Sequence, residues 1–196
     1  MSVHVVDTSD RALPELLEEL LEGGGVFIFP TDTVPGIGGD PWDRRPLARV
    51  RRLKGRSEEQ PFTLHLATVA AVERVALLAP QTRATLARFL PGPYTFLLNA
   101  GQGAPPATVG EHKVGIRVPR HAFFAEVMRD LVRPLFGTSV NRAGEEPLLD
   151  WDEILERFPG VDLIVTGEGG SGTASAVVDL TVDPPCARRG SLPQDL

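Results

Sequence analysis

The sequence is poor in several features that would have narrowed its chemistry at once. One cysteine, Cys186, stands among 196 residues, so no internal disulfide staples the fold and a cytosolic setting is the expected one. Neither a helix start nor a basic-histidine pair adjoins Cys186, which is therefore expected as a buried apolar residue rather than a nucleophile. No apolar run reaches bilayer length and the longest are strand-sized, so no membrane span is expected. Residues 1–10 have neither a basic start nor an apolar core, which argues against a signal peptide. The four histidines (His4, His65, His112 and His121) are scattered. Without a His-x-x-x-His or a cysteine pair, no protein-held metal is expected. A Gly-x-Ser-x-Gly elbow is absent, and with it support for a serine hydrolase. No Gly-x-Gly-x-x-Gly opens a helix after a strand. The glycines of residues 167–173 are spaced like a P-loop but lack the lysine that reaches the outer phosphates.

Net positive charge is lacking too. The formal charge of −6 argues against a chain built to coat nucleic acid through bulk electrostatics. Its distribution is uneven, however. Arg44, Arg45, Arg49, Arg51, Arg52, Lys54 and Arg56 follow one another with no acid between them, while Glu15, Glu18, Glu19 and Glu22 crowd the first predicted helix. A basic patch on an acidic chain suggests a site for one compact anion; a weak RNA contact through Arg44 to Arg56 is the other use it could serve.

What is present is ordinary in bulk and specific in detail. A content of 42% hydrophobic and 23% charged residues is that of a globular chain, and residues 1–196 are expected to form one domain. Strand-like and helix-like segments alternate. Strands are expected near residues 3–6, 26–29, 62–66, 94–98, 114–118, 135–139, 162–165 and 176–180, the last closing the sheet. Leucines at helical spacing from Leu13 to Leu21 stop at Gly23; Leu47, Val50 and Leu53 mark a second helix, and further helices are expected over residues 69–78, 82–90 and 123–128. Asp150 and Glu153 resemble a capping box for a last helix bearing Trp151, Ile154, Leu155 and Phe158. The expected fold class is α/β: a single-domain twisted mixed sheet flanked by helices.

The segment Pro30-Thr31-Asp32-Thr33-Val34-Pro35-Gly36-Ile37-Gly38-Gly39 follows the strand-like Val26-Phe27-Ile28-Phe29. It places hydroxyls and a carboxylate at a strand exit, then glycines that would let a ligand approach the backbone. Open α/β sheets bind ligands at such carboxyl ends. Lys54-Gly55-Arg56 ends the arginine-rich helix, and two cations about one glycine can converge on phosphate oxygens; a solvated helix end is the plainer alternative. Arg117, inside Val114-Gly115-Ile116-Arg117-Val118-Pro119, must reach water or an anion, either a carboxylate ligand or an internal acid. His65 lies on an apolar strand, where a hydrogen-bonded structural role competes with a ligand role. Ser139 and Asn141 can point the same way from extended backbone toward one ligand, or close a local turn.

Taken in order, Pro-Thr-Asp-Thr-Val-x-Gly-Ile-Gly, Lys54-Gly55-Arg56, Pro61-Phe62-Thr63-Leu64-His65, Leu90-Pro91-Gly92-Pro93-Tyr94-Thr95, Ile116-Arg117-Val118-Pro119, Ser139-Val140-Asn141 and Ser175-Ala176-Val177-Val178-Asp179 resemble the YrdC-like family, which includes the threonylcarbamoyl-AMP synthases. The resemblance runs from about Gly24 to Gly190 and implies the short, single-domain form. It implies an enzyme, a nucleotidyltransferase that joins L-threonine, bicarbonate and ATP into threonylcarbamoyl-AMP and pyrophosphate. Partner proteins would transfer the threonylcarbamoyl group to adenosine in tRNA. Thr33, His65, Arg117 and Ser175 are then implied threonine contacts, with Ser139 near the carbamoyl end. Arg56, Gln60, Asn141 and the pair Arg188 and Arg189 are implied ATP contacts, with Lys54 beside the phosphates and Lys54 and Arg56 as the catalytic cations. Mg2+ would arrive with ATP. The sequence departs from the family pattern at Pro35 (where an aromatic is usual), Val140, Ala174 and Ala176. Those departures motivate one alternative, a paralogue that binds RNA or nucleotide without this activity.

Overall fold

The computed structural model describes residues 3–57 and 59–196. In chain order the regular elements are β1 (His4–Asp7), α1 (Leu13–Glu22), β2 (Phe27–Phe29), β3 (Gly36–Gly39), α2 (Arg44–Lys54), β4 (Thr63–His65), a 3-10 helix (Val69–Arg74), α3 (Pro80–Phe89), β5 (Tyr94–Asn99), a 3-10 turn (Pro106–Thr108), β6 (Val109–Gly110), β7 (Lys113–Arg117), a π-helix (Phe123–Met128) running into α4 (Arg129–Leu131), β8 (Leu135–Ser139), α5 (Trp151–Arg157), β9 (Leu163–Thr166), β10 (Ala176–Asp179) and β11 (Cys186–Arg189). Among the described residues the strands form one eleven-stranded mixed sheet in the order β1-β9-β2-β3-β8-β4-β7-β5-β10-β11, with β6 beside β7. Helices pack against it, giving the mixed α/β domain that the strand-helix alternation implied.

Local chemistry sets the element ends. Asp43 caps α2 by accepting from the Arg45 backbone N–H, and Gly55 ends it in the left-handed conformation (φ 64°), where a residue without Cβ is favoured. Asp150 caps α5 by accepting from the backbone N–H groups of Asp152 and Glu153. The second arm of a capping box is missing, because the Glu153 carboxylate turns to Arg157.

Three expectations change. The glycines after Pro35 form no turn: Gly36–Gly39 is a fully buried strand, antiparallel to both β2 and β8, and of the four only Gly36 borders the cavity lined by Arg117. Close packing is what demands glycine there. A Cβ on Gly38 would collide with the Phe136 carbonyl, and one on Gly36 with the Phe29 ring. The helix expected over residues 69–78 is a 3-10 helix ending at Arg74, capped by Thr68. The sheet closes one strand later than residues 176–180, on β11, where Cys186 lies partly rather than fully buried.

Strands β4, β5, β7 and β10 alternate strictly. Leu64, Phe96, Leu98, Val114, Ile116 and Val178 share one apolar core beneath the sheet with Leu86 of α3. Their neighbours Thr63, His65, Thr95, Arg117 and Asp179 therefore face the other way, since successive strand side chains alternate. That polar face positions the site.

Candidate functional site

Register carries the site residues into one row. Arg189 pairs with Val177, Val177 with Thr95, and His65 with Arg117; Phe96 opposite Ile116 sets Thr95 beside Arg117. Five neighbouring strands thus present Arg189, Val177, Thr95, Arg117 and His65 across one face. They line a cavity of about 150 Å3 together with Arg56, Ser139 and Ser175. Gly137 of β8 makes the space: a Cβ there would sit 2.7 Å from His65 Nδ1.

The electrostatics of this cavity are unusual. Arg117 is buried, and its Nη2 donates to Asp32 Oδ1 (2.6 Å), Thr33 Oγ1 (2.6 Å) and Thr31 Oγ1 (3.3 Å). Its Nε is buried with no partner. Arg56 is built the same way. Nη1 donates to Thr138 Oγ1 (3.0 Å) and Nη2 to the Pro61 carbonyl (2.6 Å), while Nε is buried and unpartnered. Arg51 and Arg56 lie over the Phe62 ring at 4.7 and 4.9 Å, a cation-π stack that fixes both guanidinium planes. Burial, and then Arg51, lowers the pKa of Arg56. Unpaired buried N–H groups on fixed cations cost free energy unless an anion meets them.

His65 is neutral at any physiological pH. Burial, and then the neighbouring Arg117, pushes it down to about 3, and its ring packs edge-on to Phe29. Thr95 Oγ1 and Ser175 Oγ lie 2.9 Å apart, and Arg189 holds the Ser175 carbonyl at 2.9 Å. Lys54 is buried at the base of the next loop. Its Nζ donates to the carbonyls of Ser139 (2.5 Å) and Asn141 (2.9 Å) and to Asn141 Oδ1 (2.8 Å). Three oxygen acceptors require three N–H bonds, which only the ammonium form supplies, yet burial and then Arg56 push Lys54 down to about 7. Asn141 also accepts from Ser139 Oγ (2.7 Å) and donates to the carbonyls of Arg142 and Glu145. Lys54 and Asn141 together hold the loop that presents Ser139.

The residues singled out in the sequence divide into groups. Arg56, His65, Arg117, Ser139, Ser175 and Arg189 line the cavity. Thr33 stands behind it, in contact with Arg117; Lys54 and Asn141 lie beneath it. Gln60 is exposed in the bend before β4. Arg188 goes elsewhere, donating to the fully buried carboxylate of Asp179 at 2.8 Å, which Lys113 also holds at 2.9 Å. A register shift between Val177 and Val178 lets these consecutive arginines address one face, Arg189 at the cavity and Arg188 at Asp179. Burial alone would raise Asp179, but Thr181, Arg188 and Lys113 hold it well below the usual carboxylate range. Around that cluster lies a second cleft of about 440 Å3, which shares Thr63 with the first.

Thr31, one of the hydroxyls expected at the strand exit, is on the cavity wall, and so are Thr63, Thr95 and Thr138, to which sequence reasoning gave no ligand role. Thr63 and Thr95 each stand between apolar residues of a strand, which marks the polar side of that strand but not which strands lie beside it. The arginines of α2 do not form a single face toward solvent. Arg45 pairs with Asp43, Arg49 with Asp162, and Arg51 and Arg56 stack on Phe62. Two departures from the motif pattern point away from the cavity. Val140 belongs to the core beneath α2 and α5, and Ala176 alternates with the wall residues Ser175 and Val177. Pro35 and Ala174 are on the wall itself.

A model of the Sua5/YciO/YrdC family, described as "Telomere recombination", matches residues 19–191. A Chromobacterium violaceum protein named threonylcarbamoyl-AMP synthase is 38% identical over 171 residues, covering 86% of this chain and 89% of that relative. Escherichia coli YciO superposes with a TM-score of 0.87 at 26% identity, over 96% of this chain and 95% of its own. Sua5 of Pyrococcus abyssi, solved in complex with L-threonine, superposes with a TM-score of 0.84 at 26% identity; 95% of this chain is covered but only 56% of that longer one.

Proposed function

The chain belongs to the Sua5/YciO/YrdC family, and from that premise we propose that it is a threonylcarbamoyl-AMP synthase, a nucleotidyltransferase that uses L-threonine, bicarbonate and ATP. The observation that carries this reading is the small cavity lined by two incompletely paired guanidinium groups, the buried Arg117 and the half-buried Arg56, each with a buried Nε that has no partner. A cavity of about 150 Å3 suits an amino acid and not a whole nucleotide. ATP would therefore reach in from the rim, with its bulk outside.

In this reading Arg117 takes the threonine carboxylate. Asp32, Thr31 and Thr33 fix its plane, leaving the remaining N–H groups for the ligand. Thr95, Ser175 and neutral His65 supply hydroxyl and ring contacts around the amino acid. The threonine amine adds to CO2 derived from bicarbonate, forming a carbamate and releasing a proton. A carbamate oxygen then attacks the α-phosphorus of ATP, and the bond to pyrophosphate breaks. No protein nucleophile takes part. Arg56 and Arg189 stabilise the spreading phosphoryl charge, and the work of the site is orientation and preorganised cations. Lys54 acts by charge and by holding Ser139 and Asn141 in place, because all three of its N–H bonds are already used. Gln60 would have to fold inward from the surface to meet the nucleotide. Arg189, which lies on the cavity wall, is the better ATP contact of the arginine pair.

Magnesium would enter as part of the MgATP substrate, held through its phosphates. The product would pass to proteins that transfer the threonylcarbamoyl group to tRNA adenosine. The test is pyrophosphate release by the purified chain. Release is expected only with threonine, bicarbonate and ATP together. Release that ignores threonine, or none at high protein concentration, overturns the reading and favours a binding role without this chemistry.

A further inference from the structure

A wider cleft lies elsewhere among the described residues. A cleft of about 640 Å3 opens at the ends of β3 and β8 remote from Gly36 and Ser139, where Asp40 and Pro134 stand. Its floor is apolar, formed by Leu66, Ala71 and Val75. Its rim carries Arg74, Arg129 and Arg133 together with the indole of Trp42. None of these residues takes part in the chemistry proposed above.

The rim is unusual in three respects. Trp42 is 55% exposed, an aromatic plate left in water beside an apolar floor. Arg133 meets only Glu22 (3.3 Å) and Arg129 only its neighbour Asp130 (3.6 Å), both in exposed pairs; Arg74 has no ion pair among the described residues. Exposed pairs of this kind contribute little and yield readily to a better anion. Val132, on the same rim, is a β-branched residue held at φ 52°, in the left-handed region such side chains avoid. Strain of this sort gathers at ligand clamps.

We propose that this cleft is a second ligand site, for a nucleoside monophosphate. The base stacks on Trp42 and covers the apolar floor. Asp40, whose Oδ1 already accepts from the Trp42 backbone N–H at 2.8 Å, keeps its other carboxylate oxygen for ribose hydroxyls. The arginine rim takes the phosphate. A volume of this size lies within the usual range for small-molecule sites, and it accommodates one nucleotide rather than a strand.

The experiment uses the full chain carrying Arg56→Ala, which disables the substrate cavity, so that its outcome is independent of whether pyrophosphate is ever made. AMP is titrated by tryptophan fluorescence and by equilibrium dialysis, with inorganic phosphate and a short single-stranded RNA in parallel. Saturable binding of one AMP per chain is expected, weaker binding of phosphate, and no advantage for the RNA. Trp42→Ala is expected to weaken AMP binding about tenfold or more, measured by dialysis. The exposed double variant Arg129→Ala/Arg133→Ala is expected to do the same and to remove most of the salt dependence. The proposal is overturned if AMP binds only when Arg56 is intact, if these variants bind like the parent, or if the RNA binds more tightly than AMP.

Discussion

Two cavities of this protein, the small one at Arg117 and the wide one at Trp42, are built on opposite plans. The small one is largely polar: Arg117 is held by the Asp32 carboxylate and by threonine hydroxyls, Arg56 by a hydroxyl and a carbonyl, yet each keeps a buried Nε–H with no partner. The large one is apolar below and cationic above, with Arg129 and Arg133 in loose surface pairs and Arg74 in none among the described residues. A buried, oriented cation interacts strongly with a charge developing nearby, whereas a solvated one mostly attracts and anchors. The small cavity is suited to chemistry and the large one to binding.

That contrast can be broken at several points. The largest effect is expected at Arg117. Arg117→Lys keeps the charge and loses the fork, and should raise the threonine concentration for half-maximal pyrophosphate release by roughly 30-fold or more, with a smaller change for ATP. Arg117→Ala also strands the Asp32 carboxylate, so thermal unfolding should show a loss of about 3 kcal/mol or more. Next is Arg56→Ala, expected to lower kcat/KM for ATP about a hundredfold while leaving the threonine dependence nearly intact. Gly137→Ala should cost about tenfold in rate by displacing His65, with the fold preserved by circular dichroism.

A pH profile sharpens the role of Lys54. Its pKa of about 7 lies below that of an unfolded lysine, so between those values the unfolded chain binds more protons. Stability should therefore rise with pH across that window. Activity should move the other way: kcat/KM for ATP should fall as the pH passes through about 7 and the ammonium that holds Ser139 and Asn141 is lost. A flat profile from pH 6 to 9 would show that the ammonium is not needed. The smallest effect belongs to the other cavity: Trp42→Ala should leave pyrophosphate release without AMP within about twofold.

Much of this was legible in the sequence. Strand and helix positions followed from periodicity, and Gly55 and Asp150 marked helix ends by the chemistry they perform. The segment Gly36–Gly39 was half legible: Gly36 does border the cavity, but glycine suits both a turn and a crowded central strand, and it is the packing of Phe29 and Phe136 against these positions that decides for the strand. The threonine row was hidden for a related reason. Thr63 and Thr95 become site residues only when register aligns β4, β7, β5 and β10, and no local pattern encodes register between distant strands. Arg188 and Arg189 could not be separated without the irregularity in β11. For Arg117 the internal acid and the outward-looking cation turned out to coexist: Asp32 occupies one nitrogen, and the rest of the guanidinium remains.

The most direct measurement is pyrophosphate release by the unaltered protein and by Arg117→Lys, with threonine titrated at fixed bicarbonate and saturating ATP. Strict dependence on threonine is expected, with the variant's curve shifted to much higher threonine while its maximal rate changes less. Coincident curves, or release without threonine, would contradict the placement of the amino acid at Arg117.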